Sequence, residues 1–223
     1  MWVVFDLDGT LIDSEQIWAD VRRRFVLTHG GTWHDQAQAT MIGMRTTEWA
    51  QYIRNDLGVA LPPEEIARLV VDAVSAELAQ SIPILPGAQA ALERLAPVYP
   101  LGLATSAALA VARTTLETTG WGRIFKVVVS ADEVARGKPA PDVYLRALEL
   151  LEAAPDQSAA VEDSANGIRS AAAAELAVIA IPNAGYPPDA DALACATTVL
   201  PNLTMLETSV IEDAIACRRR PTR

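Results

Sequence analysis

Trp2-Val-Val-Phe-Asp6-Leu-Asp8-Gly9-Thr10 runs four apolar residues straight into an Asp-x-Asp pair. A short β-branched and aromatic run of this kind reads as a buried strand, and open α/β sheets bind ligands in the crevice at the carboxyl ends of their strands. Asp6 and Asp8 are therefore expected in that crevice, with Gly9 allowing a sharp exit. Two carboxylates so close repel one another unless one is protonated or a cation neutralises them. Mg²⁺ suits such a place, because it takes hard oxygen ligands and keeps waters and a substrate phosphate in its shell. Taken alone the pattern is short, and a solvated turn carrying two acids is its bland reading.

Three further segments follow in order. Leu101-Gly-Leu-Ala-Thr105-Ser106 is an apolar strand ending in hydroxyls, Gly137-Lys138-Pro139 places a lysine in a loop, and Ala159-Ala-Val-Glu162-Asp163-Ser164 is a strand ending in paired acids that start a helix. Singly, Thr105 is a helix cap, Lys138 a loop cation, and Glu162-Asp163 favourable charge near a helix N-terminus. Together and in this order the four segments resemble the signatures of the haloacid dehalogenase superfamily of phosphotransferases. The resemblance covers nearly the whole chain.

It implies an α/β fold, a Rossmann-like parallel sheet core with an inserted all-helical cap domain. The core is expected over residues 1–14 and 82–223 and the cap over 15–81. It also implies roles. Asp6 is the nucleophile that forms an aspartyl phosphate, and Asp8 the general acid and base. Thr105 and the Ser106 amide bind phosphoryl oxygens, and Lys138 neutralises charge shared with Asp6. Mg²⁺ is held by the Asp6 carboxylate, the Asp8 backbone carbonyl and Asp163, with Glu162 reaching it directly or through water. In the cap, Ile42-Gly-Met-Arg45-Thr-Thr-Glu48 resembles a substrate-facing loop, which makes Arg45 the expected substrate-binding residue.

The implied activity is hydrolysis of a small phosphorylated metabolite, a sugar or polyol phosphate. Asp8 argues against dehalogenation, which needs no acid for an alkoxide leaving group. Phosphonate hydrolysis in the superfamily uses a cap lysine, and the only lysines here are Lys126 and Lys138. A phosphomutase of the β-phosphoglucomutase type stays open, although Trp18 stands where those enzymes carry a cap histidine. A catalytically idle phosphometabolite-binding protein is the second alternative, disfavoured by the intact Asp6, Asp8, Lys138 and Asp163.

Composition narrows the partners. At 223 residues and 51% hydrophobic the chain can bury a sizeable core. A formal charge of −10 disfavours nucleic acid, whose phosphates are met mainly by Lys and Arg. The Arg218-Arg219-Arg220 and Arg223 tail is the basic exception and reads as a solvated end. The apolar stretch Ala171 to Ile181 contains Glu175 and is shorter than the roughly 20 residues of a membrane span. With no leader before the first strand, and with two distant cysteines, Cys195 and Cys217, the expectation is a cytoplasmic monomer or weak dimer without membrane or nucleic-acid partners.

Periodicity supports the layout. Ile17, Val21 and Phe25, and then Ile66, Leu69, Val70, Ala73 and Val74, recur at helical spacing, and Pro62-Pro63-Glu64-Glu65 reads as a helix start. Beyond Ile82 helices and strands alternate, which implies parallel strands joined by right-handed crossovers. Trp18 and the other tryptophans read mainly as packing residues, and His29 and His34 as solvent-facing spectators. Glu175 stands at a helix end where a glycine is usual in the family, at a cost of about 1 kcal/mol if its φ is positive.

Overall fold

The computed structural model describes residues 1–218. Its strands are β1 (Trp2–Phe5), β2 (Leu101–Thr105), β3 (Phe125–Ser130), β4 (Ser158–Glu162), β5 (Ala177–Ala180) and β6 (Thr198–Val199). They form one parallel sheet in the order β3-β2-β1-β4-β5-β6. β1 lies between β2 and β4, with Val3 level with Leu101 on one side and Ala159 on the other. Every residue of β2, β4 and β5 is buried, as expected for parallel strands covered on both faces. Val3, Phe5, Leu103 and Val161 face one hydrophobic cluster, while Val4, Ala104, Ala160 and Val178 face the other.

Four helices separate β1 from β2: α1 (Glu15–Thr28), α2 (Ala37–Met41), α3 (Thr46–Asn55) and α4 (Pro63–Gln80). α4 starts where its double proline predicts, with Glu64 and Glu65 in the first turn. It packs on α1 and α3, and on one core helix as well. Trp49, Ile53, Ile66 and Val74 therefore join the hydrophobic cluster that also holds Phe5 and Leu103. The remaining helices are α5 (Ala88–Leu95), α6 (Leu109–Thr119), α7 (Asp142–Leu150), α8 (Ala165–Ala173), α9 (Ala190–Leu193) and α10 (Thr208–Arg218); the core helix under α4 is α6.

The alternation expected up to Ile181 is present to within one or two residues at each boundary. α9, β6 and α10 are not legible in the sequence: the first two, of four and two residues, are too short to show periodicity, and α10 buries only Ile211, Ala214 and Ile215 along its eleven residues. Glu175 adopts φ 65°, the left-handed conformation its position demands. Arg218 donates through Nε to the Glu175 carbonyl at 2.8 Å, while Arg219, Arg220 and Arg223 of the basic tail lie outside the described residues. Among the described residues no helix is long and apolar enough to cross a membrane.

Candidate active site

The sheet order reverses at β1, whose neighbours β2 and β4 lead off in opposite directions, and the crevice at their carboxyl ends is where such sheets bind ligands. Asp6 leaves β1 there, Thr105 ends β2, and Glu162 and Asp163 end β4. Lys138 reaches the same point from the loop after β3, which the bidentate ion pair of Arg136 with Asp142 braces at 2.8 and 3.2 Å.

Lys138 is the hub of the buried part. Its ammonium donates to Asp6 Oδ1 at 2.6 Å, to Glu162 Oε1 at 2.6 Å and to the Ala104 carbonyl at 3.0 Å. Burial opposes its charge, but the Asp6 and Glu162 carboxylates outweigh that and hold its pKa above the ordinary lysine range. Glu162 is saturated by the protein: Oε1 also accepts from Tyr144 Oη at 2.7 Å, and Oε2 from the Asp163 amide at 3.2 Å and the Ser164 hydroxyl at 3.3 Å. Gly167 makes this burial possible, since a Cβ there would lie 2.0 Å from the Glu162 carboxylate.

Asp6, Glu162 and Asp163 each offer an oxygen within 4.8 Å of the others, all three buried. Burial first, then Glu162, drives the Asp6 carboxyl up to about 8 against the opposing pull of Lys138. Asp163 is raised well above the usual carboxylate range by burial and by Asp6 and Glu162. Carboxylates in that condition gain from a cation, and an all-oxygen donor set fits a hard divalent ion. Thr10 donates to Asp163 Oδ1 at 3.1 Å, and Gly9, at φ 84°, passes so close to Asp163 that a Cβ would sit 2.1 Å from Oδ2.

Asp8 stands apart from this cluster. Its Oδ1 accepts from the Ser14 hydroxyl and, at 3.3 Å, from the Trp18 indole Nε1. Its Oδ2 faces the Thr105 hydroxyl at 3.4 Å, and that hydroxyl in turn accepts from the Ala107 amide at 3.0 Å. Trp18 is thus more than a packing residue, a relationship the sequence did not reveal because only the tilt of α1 brings an indole N–H onto β1's exit loop. Two small cavities, of about 50 and 60 Å³, meet along Asp8, Glu15, Ile42, Gly43 and Ser106. The second also reaches Asp6, Lys138 and Asp163.

Arg45 borders neither of these cavities but lines a third, of about 330 Å³, with Gly43 and Lys138. Its Nη1 donates to the Ala135 carbonyl at 3.0 Å and its Nε lies 3.4 Å from Glu48, while the neighbouring Thr46 amide donates to Asp132 at 3.3 Å. Arg45 and Thr46 seal the start of α3 against the loop after β3. Arg22 lines the first cavity, beside Asp8, its guanidinium carbon 4.5 Å from the centroid of Trp18 and 5.0 Å from that of Trp49. Burial lowers its pKa to about 10, which leaves it charged at neutral pH. Glu15 is raised by burial and then by Asp8, and it accepts from Gln38 at 3.1 Å. The histidines lie elsewhere: His29 stacks on Phe25, and His34 meets the Tyr52 hydroxyl at 3.0 Å.

The chain is similar in sequence and fold to known proteins. Hexitol phosphatase A of Escherichia coli is 34% identical over 183 residues, covering 80% of this chain and 81% of that protein. The bifunctional riboflavin kinase/FMN phosphatase of Arabidopsis thaliana is 31% identical over 81% of this chain but only 48% of its own length, so the chain spans about half of that relative. The crystal structure of CbbY from Rhodobacter sphaeroides in complex with phosphate superposes with a TM-score of 0.84 at 26% identity, over 94% of this chain and 98% of that one. The family model of the haloacid dehalogenase-like hydrolases matches residues 3–181, and the chain belongs to that family.

Proposed function

We propose that the chain is a Mg²⁺-dependent phosphomonoester hydrolase acting on a small phosphorylated metabolite, a sugar or polyol phosphate, in the cytoplasm. The observation that carries this reading is the division of labour between two aspartates two residues apart. Asp6 is locked in a buried cluster with Lys138 and Asp163, and Asp8 is held outside it, in the cavity, by three uncharged donors. The kinship with a hexitol phosphatase supports the substrate class. Free thiols at Cys195 and Cys217 fit a reducing compartment.

In this reading an Asp6 oxygen attacks phosphorus and the bond to the leaving alkoxide breaks, while Asp8 gives the alkoxide its proton. Water then attacks the aspartyl phosphate, Asp8 takes the proton back, and inorganic phosphate and free Asp6 result. Asp6, Asp163 and the Asp8 carbonyl would hold Mg²⁺, which offsets the repulsion between a carboxylate nucleophile and an anionic phosphoryl group. Glu162, crowded by protein donors, serves to fix and charge-balance Lys138. Thr105 and the Ser106 amide meet the phosphoryl oxygens. Residues 15–81 act as the cap and 1–14 with 82–223 as the core, the Arg45 and Thr46 contacts closing one over the other.

Phosphate release from a panel of sugar, polyol, glycolate and nucleotide monophosphates with Mg²⁺, beside Asp6→Asn, tests the proposal. Metal-dependent release that vanishes in the variant supports it. Isomerisation of β-glucose 1-phosphate without release points to a mutase, and neither activity points to a binding protein. Trp18, which offers a fixed N–H and no titratable group beside Asp8, favours hydrolysis over the mutase.

A further inference from the structure

The cavity between α1, α3 and Asp8 has one cationic side chain on its walls, Arg22, beside two carboxylates, Asp8 and Glu15. Arg22 is 5% exposed. Among the described residues its guanidinium makes one long hydrogen bond, Nη1 to Gln38 Oε1 at 3.4 Å, and its buried Nε has no acceptor. A buried cation left this short of acceptors costs free energy, and the cost is recovered when a ligand supplies them. Trp18 and Trp49 hold the guanidinium against their rings, which fixes the plane of its fork.

We propose that Arg22 is a specificity-determining residue, donating from its guanidinium to a hydroxyl oxygen on the leaving group of a neutral, polyhydroxylated phosphomonoester. This rests on the phosphatase reading and deepens it. The leaving group enters the cavity beside Asp8, which must reach its ester oxygen, and Arg22 is the cationic side chain lining that same cavity. Glu15 decides between hydroxyl and anion. A hydroxyl accepts from Arg22 and donates to Glu15, whereas a carboxylate or second phosphate meets two acidic side chains and only one cation. Arg45 lines a different cavity, where its guanidinium donates to the Ala135 carbonyl.

The test is steady-state hydrolysis by the full chain with Mg²⁺ of glycerol 3-phosphate, a hexitol phosphate, propyl phosphate and phosphoglycolate. Propyl phosphate keeps the carbon chain of glycerol phosphate without its free hydroxyls, and its release, lost in Asp6→Asn, establishes the phosphatase reading independently. The wild type is expected to favour the polyol esters over propyl phosphate by tenfold or more. Arg22→Met should cost roughly 10- to 100-fold in kcat/KM on the polyol esters, mostly through KM, and less than about twofold on propyl phosphate. Its melting temperature should fall, since the change leaves Glu15 and Asp8 without their neighbouring cation. Arg22→Lys should lose selectivity to a smaller degree. Equal losses on all esters, no loss on any, a wild-type preference for phosphoglycolate, or unfolding of both variants would each overturn the role of Arg22 while leaving the phosphatase reading standing.

Discussion

Lys138 Nζ lies 2.6 Å from Glu162 Oε1, with side-chain exposures of 3% and 0%. Glu162 is therefore the counter-ion that allows a charged lysine to be buried against Asp6. Glu162→Gln keeps the shape and removes one of the two carboxylates that hold the Lys138 ammonium charged and in place. Phosphate release should fall by about 10²-fold in kcat with KM changed little, because the lost stabilisation acts on transferring charge. Steady-state kinetics check this. A variant within twofold of wild type would remove Glu162 from the machinery.

Gly167 and Glu162 are coupled by space alone. A methyl group at Gly167 would overlap both carboxylate oxygens at 2.0 Å, and no flexible neighbour can yield, since Tyr144, Lys138 and the Ser164 hydroxyl pin that carboxylate. Gly167→Ala should destabilise the fold by about 2 kcal/mol or more and abolish turnover together. Thermal unfolding and phosphate release on the same preparation measure both.

Trp18→Phe preserves an aromatic ring against Trp49 and deletes the N–H that Asp8 accepts. One neutral-to-charged hydrogen bond is lost, so kcat should drop roughly five- to tenfold with the fold retained. An unchanged kcat would make Trp18 a packing residue only.

The buried carboxylates set the pH response of stability. Asp6 is raised from 3.8 to about 8, burial outweighing the opposing pull of Lys138, so the folded chain holds a proton that the unfolded chain releases. The stability this contributes is complete below about pH 4 and is lost as pH rises towards 8; Asp163, also raised, acts in the same direction. Metal-free protein should thus lose melting temperature between pH 5 and pH 8. Mg²⁺ should restore more at pH 8 than at pH 5, and Asp6→Asn should flatten the metal-free profile. Melting curves across this range decide it.

Glu175 bears the left-handed φ of 65° that closes α8. Glu175→Gly should stabilise by about 1 kcal/mol, with turnover unchanged, since only the backbone strain is relieved. The melting temperature reports it.

The sequence by itself determined the sheet and the acids at its centre. Val3 to Phe5, Leu101 to Ala104 and Ala159 to Val161 are apolar runs that only a sheet covered on both faces can bury, and the groups that end them fall in one crevice by topology alone. It determined the helical insert through periodicity, and the strained Glu175 through helix-end chemistry. Tertiary structure decided what faces the cavity beside Asp8. Arg45 sits in a conspicuous loop and Arg22 in an ordinary helix, yet packing turns the first onto the Ala135 carbonyl and the second between two tryptophans. It likewise decided that Glu162 belongs to Lys138 and that Trp18 touches Asp8. Such pairings depend on the angles at which α1 and α3 meet the sheet, and those angles come from the summed burial of many side chains far apart in the chain, which no local pattern encodes.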